Sequence, residues 1–239
     1  TNEIKRRIGL VSKETGAEIV ILEVGGTVGD IESQPFLEAL RQLRNEVGRE
    51  NCLFVHVTWL PTIGATGEIK TKPTQHASRA LNSAGLQADM IVARGPSDLD
   101  APRREKLAIF CGVRKDYCIS APDVQSIYEI PLKMEEQDIG NKLLSILKIN
   151  KRKTALTPWN TLITHVRNGK REIKIAVVGK YFGTGNFTLA DSYISVIEAI
   201  KHASWCQAVR PVLEWVDSEE FEKDPKSIKN LSNFDAVIV

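Results

Sequence analysis

The chain has 239 residues, a formal net charge of +2, 42% hydrophobic and 26% charged residues. This is an ordinary globular composition, enough for one large domain or one and a half smaller ones. The near-neutral charge gives no support to nucleic-acid binding, so any anion site must rest on local lysines. The four cysteines, Cys52, Cys111, Cys118 and Cys206, lack metal-type spacing and read as reduced thiols of a cytoplasmic protein. No run reaches transmembrane length and no signal peptide opens the chain, so neither a membrane nor a nucleic acid is expected as a partner.

Residues 2–14 read as a helix closed by Gly16. Ile19-Val20-Ile21-Leu22 has the length and β-branched content of a buried parallel strand. Glu23 follows directly, then Gly25, Gly26 and Gly29, then Asp30 and Glu32. Ser33 is placed to cap a helix with Pro35 in its first turn and Phe36, Leu37, Leu40, Leu43 and Val47 on its apolar face; Gly48 is placed to stop it. Strand, glycine loop and helix in this order form the ligand-binding unit of α/β sheets. The loop carries acids and no lysine, which suits a hard divalent cation better than a bare phosphate. Asp30 and Glu32, taken alone, are more simply helix-dipole partners. Glu23, at a strand end, is the candidate metal ligand.

Residues 52–59 read as a second strand, in which His56 is structural. The stretch from Pro61 to Gln75, PTIGATGEIKTKPTQ, follows. Gly64 and Gly67 allow close backbone approach. Lys70 and Lys72, at i and i+2 in extended chain, are expected on one side. Pro73 stiffens the segment, and a helix opens near Thr74 and Gln75 and ends near Gly85. Ammonium groups, backbone N–H donors and a helix dipole together make an anion site. On spacing alone, that reading and a solvated basic loop are even.

Asp89 to Arg94 is a third strand, followed by the Gly95-Pro96 turn. Arg103, Arg104 and Lys106 open a helix continued by Leu107, Ile109 and Phe110. Tyr117 to Ser120 is a fourth strand, ahead of Pro122-Asp123-Val124. Residues 126–147 read as helical with a break at Pro131. The run KINKRKT, 148–154, reads as a solvated linker. A short helix is expected over 158–166, strands over 173–181, 212–216 and 234–239, and a helix over 189–203. The segment 182–187 reads as a surface loop. This restart of the β–α alternation implies a second α/β unit.

EVGGTVGDIES followed by PFLEALRQL, with GEIKTKPTQH and SIYEIP downstream, resembles the synthetase domain of the CTP synthase family over nearly the whole chain. The resemblance implies an α/β fold: a P-loop-like parallel sheet forming an amidoligase domain, then the beginning of a flavodoxin-like glutaminase domain. It divides the chain into synthetase domain 1–147, linker 148–171 and the N-terminal part of a class I glutamine amidotransferase domain, 172–239. The implied activity is ATP-dependent amination of UTP to CTP with ammonia from glutamine. The implied UTP and CTP contacts are Asp30, Ile31, Glu32, Lys70, Thr71, Lys72, Pro73, Thr74, Gln75 and Lys106. Pro122, Asp123 and Val124 would contact ATP, and Glu23 would help to hold Mg²⁺. Gly95-Pro96 departs from the family pattern, which has Ser or Asp after the arginine.

No GxxxxGK[ST] phosphate loop, nucleophile-elbow cysteine or His-Glu pair occurs in these residues. The chain therefore reads as a piece of a longer enzyme, a homotetramer in the family, inactive by itself and with no catalytic side chain of its own. Two alternatives stand beside it, the first sharing its strand–loop–helix logic around Glu23 and the second non-enzymatic. One is a relative of dethiobiotin synthetase or cobyrinate amidase. The other is a nucleotide-responsive assembly module, with the Pro35–Val47 helix at a subunit interface.

Overall fold

The computed structural model describes residues 1–63, 67–151, 153–180, 183–184, 187–188 and 193–239. Gly64, the middle of the 182–187 loop and the start of the helix anticipated at Leu189 lie outside the described residues. The chain forms two compact units, Thr1–Thr154 and Ala155–Val239. Both are mixed α/β with parallel sheets.

In the first unit, helix α1 (Asn2–Thr15) ends on Gly16, whose φ of 68° is the left-handed conformation that glycine adopts freely. No regular element covers 17–25. The anticipated strand at Ile19–Leu22 is not formed: Ile19, Ile21 and Leu22 are 50%, 92% and 45% exposed. A strand exists only through a ladder partner, and no described strand pairs with this run. Helix α2 (Gln34–Val47) follows a 3-10 turn at Ile31–Ser33. Ser33 makes no capping bond: as the end of that turn its backbone is already helical, at φ −84° and ψ −17°, and its hydroxyl donates back to Asp30 O at 2.9 Å. Leu37, Ala39 and Arg44 form the buried side of α2, whereas Phe36 and Val47 are exposed.

The sheet runs β1 (Val55–Trp59), β4 (Met90–Gly95), β5 (Cys118–Pro122), all parallel. Between β1 and β4 lie a two-residue antiparallel pair, β2 (Thr62–Ile63) and β3 (Glu68–Ile69), and helix α3 (Lys72–Ser83). Helix α4 (Ala101–Cys111) joins β4 to β5, and the Asp100 carboxylate caps it by accepting from Arg103 N–H. Leu60, Ile69, Leu81, Ile91, Leu107 and Cys118 form the core between sheet and helices. The face of β1 turned to α3 is polar, with His56 and Thr58 buried, while Val55, Val57 and Trp59 point outward. Helices α5 (Ile130–Glu135) and α6 (Ile139–Ile146) are separated at Asp138, whose φ is 56°; Pro131 sits inside the first turn of α5 and is not the break.

The second unit has α7 (Thr157–Asn168), β6 (Arg171–Gly179), the short pair β7 (Gly183–Thr184) and β8 (Phe187–Thr188), α8 (Ile194–Cys206), β9 (Val209–Asp217), α9 (Glu219–Lys223) and β10 (Ala236–Ile238). Its parallel sheet has the order β10-β6-β9 around a core of Ile175, Val177 and Ile200.

Candidate nucleotide site

The N-terminus of α3 is anchored from several sides. Lys70 N–H donates to Pro61 O at 2.8 Å, and Thr74 Oγ1 donates to Trp59 O at 3.1 Å. Arg103 Nε, on α4, donates to Ile69 O at 3.0 Å. The buried side of α3 presents Thr74, Gln75 and Ser78 toward β1, and Ser78 Oγ lies 3.5 Å from His56 Nδ1. Burial pushes the His56 imidazole below its ordinary value. Thr58 Oγ1 and Gln75 Oε1 are buried and make no hydrogen bond among the described residues.

The lysines do not lie along one extended strand. Thr71 is already helical, with φ −92° and ψ −8°, and Lys72 is the first residue of α3. Lys70 Nζ pairs with Glu68 at 2.6 Å, and Lys72 Nζ stands 5.7 Å above the Phe110 ring of α4. Lys106 and Arg103, on α4, lie close enough to Glu68 that their charges lower its carboxyl, after the larger effect of the Lys70 hydrogen bond. The structure thus pairs Lys70 with Glu68 beside a helix start and holds Arg103 on the neighbouring Ile69 carbonyl. Gln75 is 1% exposed and spends its amide nitrogen on Thr71 Oγ1 at 3.1 Å, so it stiffens the first turn instead of projecting outward. Arg103, Glu68 and Phe110 are the participants that the sequence reading did not assign. Arg103 stands three residues before Lys106 on the same helix, a spacing that faces both the same way.

The carboxylate loop is organised locally. Asp30 Oδ2 accepts from Thr27 N–H at 2.7 Å, and Asp30 N–H donates to Thr27 O at 3.0 Å. Ile31, Glu32 and Glu23 are exposed. Among the described residues no group of three or more His, Cys, Asp or Glu side chains could hold a metal by itself. A single accessible carboxylate still fits Mg²⁺, which keeps several waters and takes one or two carboxylates with substrate phosphates.

At the carboxyl ends of the three parallel strands lies a cavity of about 450 Å³ lined by Val57, Thr58, Trp59, Arg94, Gly95 and Asp123. Asp123 N–H donates to Gly95 O at 2.8 Å, which fixes the chain just after Pro122. This is where α/β sheets bind ligands. A cavity of about 370 Å³ between α2 and the end of α3 has its charges already matched, Arg41 on Glu38 at 2.8 Å, and carries less chemistry. Cys111 and Cys118 are buried, and burial pushes both thiols up, Cys118 to about 11, so neither is a nucleophile.

Residues 1–149 match the family described as CTP synthase N-terminus. The chain belongs to the CTP synthase family. A CTP synthase of Carboxydothermus hydrogenoformans is 46% identical over the whole chain, one of Roseiflexus castenholzii 48% over 94% of it, and one of Saccharolobus solfataricus 45% over the whole chain. The chain spans 44%, 40% and 44% of those relatives. The synthetase family therefore accounts for the first unit. The sheets and helices described above are how this member builds it.

Proposed function

We propose that the protein carrying this chain is a ligase that converts UTP to CTP in pyrimidine nucleotide biosynthesis, with ATP as co-substrate and glutamine as ammonia donor. What supports this reading is the match of residues 1–149 to the family, together with Lys70 and Lys72 standing at the N-terminus of α3, where lysine charge and unpaired backbone N–H donors suit an anion. Lys70, Thr71, Lys72, Pro73 and Lys106 hold the UTP triphosphate, or that of CTP as product inhibitor, and Thr74, whose buried hydroxyl is given to Trp59 O, serves through the backbone of the helix start. Gln75 contributes by locking the helix start. Asp30, Ile31 and Glu32 approach the same nucleotide from the carboxylate loop. Pro122, Asp123 and Val124, at the strand-end cavity, receive ATP.

The reaction is phosphoryl transfer followed by amination, which demands positioning and charge neutralisation more than covalent protein chemistry. ATP phosphorylates the uracil 4-oxygen, and ammonia displaces the resulting phosphate. Glu23 would hold Mg²⁺, which when bound neutralises phosphate charge. The chain's lysines keep the UTP triphosphate fixed while its base reacts, and no general base is assigned among these residues.

We read the second unit as the start of a flavodoxin-like class I glutamine amidotransferase domain. Its sheet order, with the first strand between the second and third, is that of the flavodoxin-like arrangement and supports this. The protein is further proposed to be a cytoplasmic homotetramer. No described helix is long and apolar enough to cross a membrane.

The test is Glu23→Ala in the full-length protein. ATP-dependent CTP formation should be lost while glutamine hydrolysis stays measurable. Normal CTP formation at saturating Mg²⁺ would remove Glu23 from the site.

A further inference from the structure

Glu68 is an acid standing inside a cluster of cations. It lies on β3, two residues before Lys70, and its carboxylate accepts from Lys70 Nζ at 2.6 Å. The pair is not sealed off: the Lys70 and Glu68 side chains are 37% and 52% exposed, so a dissolved anion can reach the ammonium group. The backbone on both sides is pinned. β3 pairs with β2, Lys70 N–H holds Pro61 O, and Arg103 Nε holds Ile69 O. Lys70 bonds this carboxylate directly, Arg103 is held on the carbonyl of the next residue, and the positive charge around Glu68 lowers its carboxyl, the Lys70 hydrogen bond first. Arg103 is also bonded to Asp100. An ordinary surface ion pair has no further consequence, but this one involves a lysine assigned to a polyphosphate.

We propose that Glu68 is a resident counter-anion of the nucleotide site, competing with the ligand's phosphates for Lys70 and so holding the site's affinity below what its cations alone would give. The inference rests on the assignment of Lys70 to the UTP triphosphate. Its physical basis is substitution: a phosphate that takes Lys70 must first displace a carboxylate, and then sits beside that negative charge. The repulsion is partly screened by solvent, so its effect is modest. A modest penalty suits a substrate that must bind, react and leave as product with the same triphosphate.

The experiment is calorimetric titration of the full-length protein with UTP and, separately, with inorganic tripolyphosphate. Glu68→Gln should tighten both by roughly two- to five-fold, the range spanned by exposed ion pairs. Glu68→Ala should do the same, since the effect is the loss of charge and not a new contact. In a Lys70→Ala background the gain from Glu68→Gln should largely disappear. Unchanged or weakened UTP binding in Glu68→Gln and Glu68→Ala, with Lys70→Ala weakening UTP as assigned, would overturn this inference alone. Unchanged UTP binding in Lys70→Ala would overturn the assignment of Lys70 and the inference with it.

Discussion

The carboxylate loop (17–33) and the lysine loop (59–75) carry the two most distinctive motifs of the chain, and the fold treats them differently. The lysine loop is cross-braced: bonds run from Thr74 to β1, from Lys70 to Pro61 and from Arg103 on α4 to Ile69. The carboxylate loop is bonded mainly to itself, through Thr27, Asp30 and Ser33, and leaves Ile19, Ile21 and Leu22 exposed. On the assignments proposed above, the anion site would depend on several donors held in register, which a long-range scaffold provides, whereas a single carboxylate for a metal would need only access. The cost of damaging each loop should therefore differ: stability and binding together for the lysine loop, chemistry without stability for the carboxylate loop.

The largest stability effect should come from the anchor of α2. Arg44 is 8% exposed, donates to Asp89 Oδ1 at 2.7 Å and to Gln87 O at 3.0 Å, and stacks over Phe54. Arg44→Ala should destabilise the first unit by about 3 kcal/mol in urea unfolding, because it removes a buried side chain and leaves the partly buried Asp89 carboxylate with the Phe54 N–H but without its cation. Thr74→Val removes one buried bond to β1 and should cost about 1–2 kcal/mol in the same assay. If Thr74→Val costs nothing, the lysine loop is less braced than its bonds imply.

His56 gives a smaller, pH-dependent effect. Its folded value lies below the ordinary 6.5, so the unfolded chain takes up the proton first. The associated stability is present above about pH 6.5 and is lost as pH falls through the lower folded value. The thermal midpoint of the native protein should drop across that window more steeply than that of His56→Asn. Smallest of all, Glu32→Ala on the exposed carboxylate loop should shift stability by less than about 0.5 kcal/mol. A loss above 1 kcal/mol there would erase the contrast between the loops.

The features legible in the sequence were those settled within a few residues. Gly16 ends α1, and β4 and β5 stand where short apolar runs placed them. The features that were not legible depend on distant partners. Ile19–Leu22 has strand composition but no described ladder partner. On β1 the strand and a structural His56 were legible, but not the buried face: His56 and Thr58 turn inward, where α3 brings polar Thr74, Gln75 and Ser78, and the valines face outward. Lys70 and Lys72 do not share one extended run because the helix begins two residues before the expected Thr74, and each has its own neighbour, Glu68 for Lys70 and the Phe110 ring for Lys72. The types of residue in the candidate site could be read directly; which of them meet could not.

The central claim is that the lysine loop serves UTP, and the most direct measurement is steady-state kinetics of Lys72→Ala in the full-length protein, varying UTP and ATP separately. A charge-assisted contact contributes on the order of 1.5–3 kcal/mol. The UTP requirement should therefore rise roughly ten-fold or more, with CTP inhibition weakened in parallel and the ATP requirement nearly unchanged. A selective loss of ATP affinity, with UTP and CTP untouched, would contradict the account.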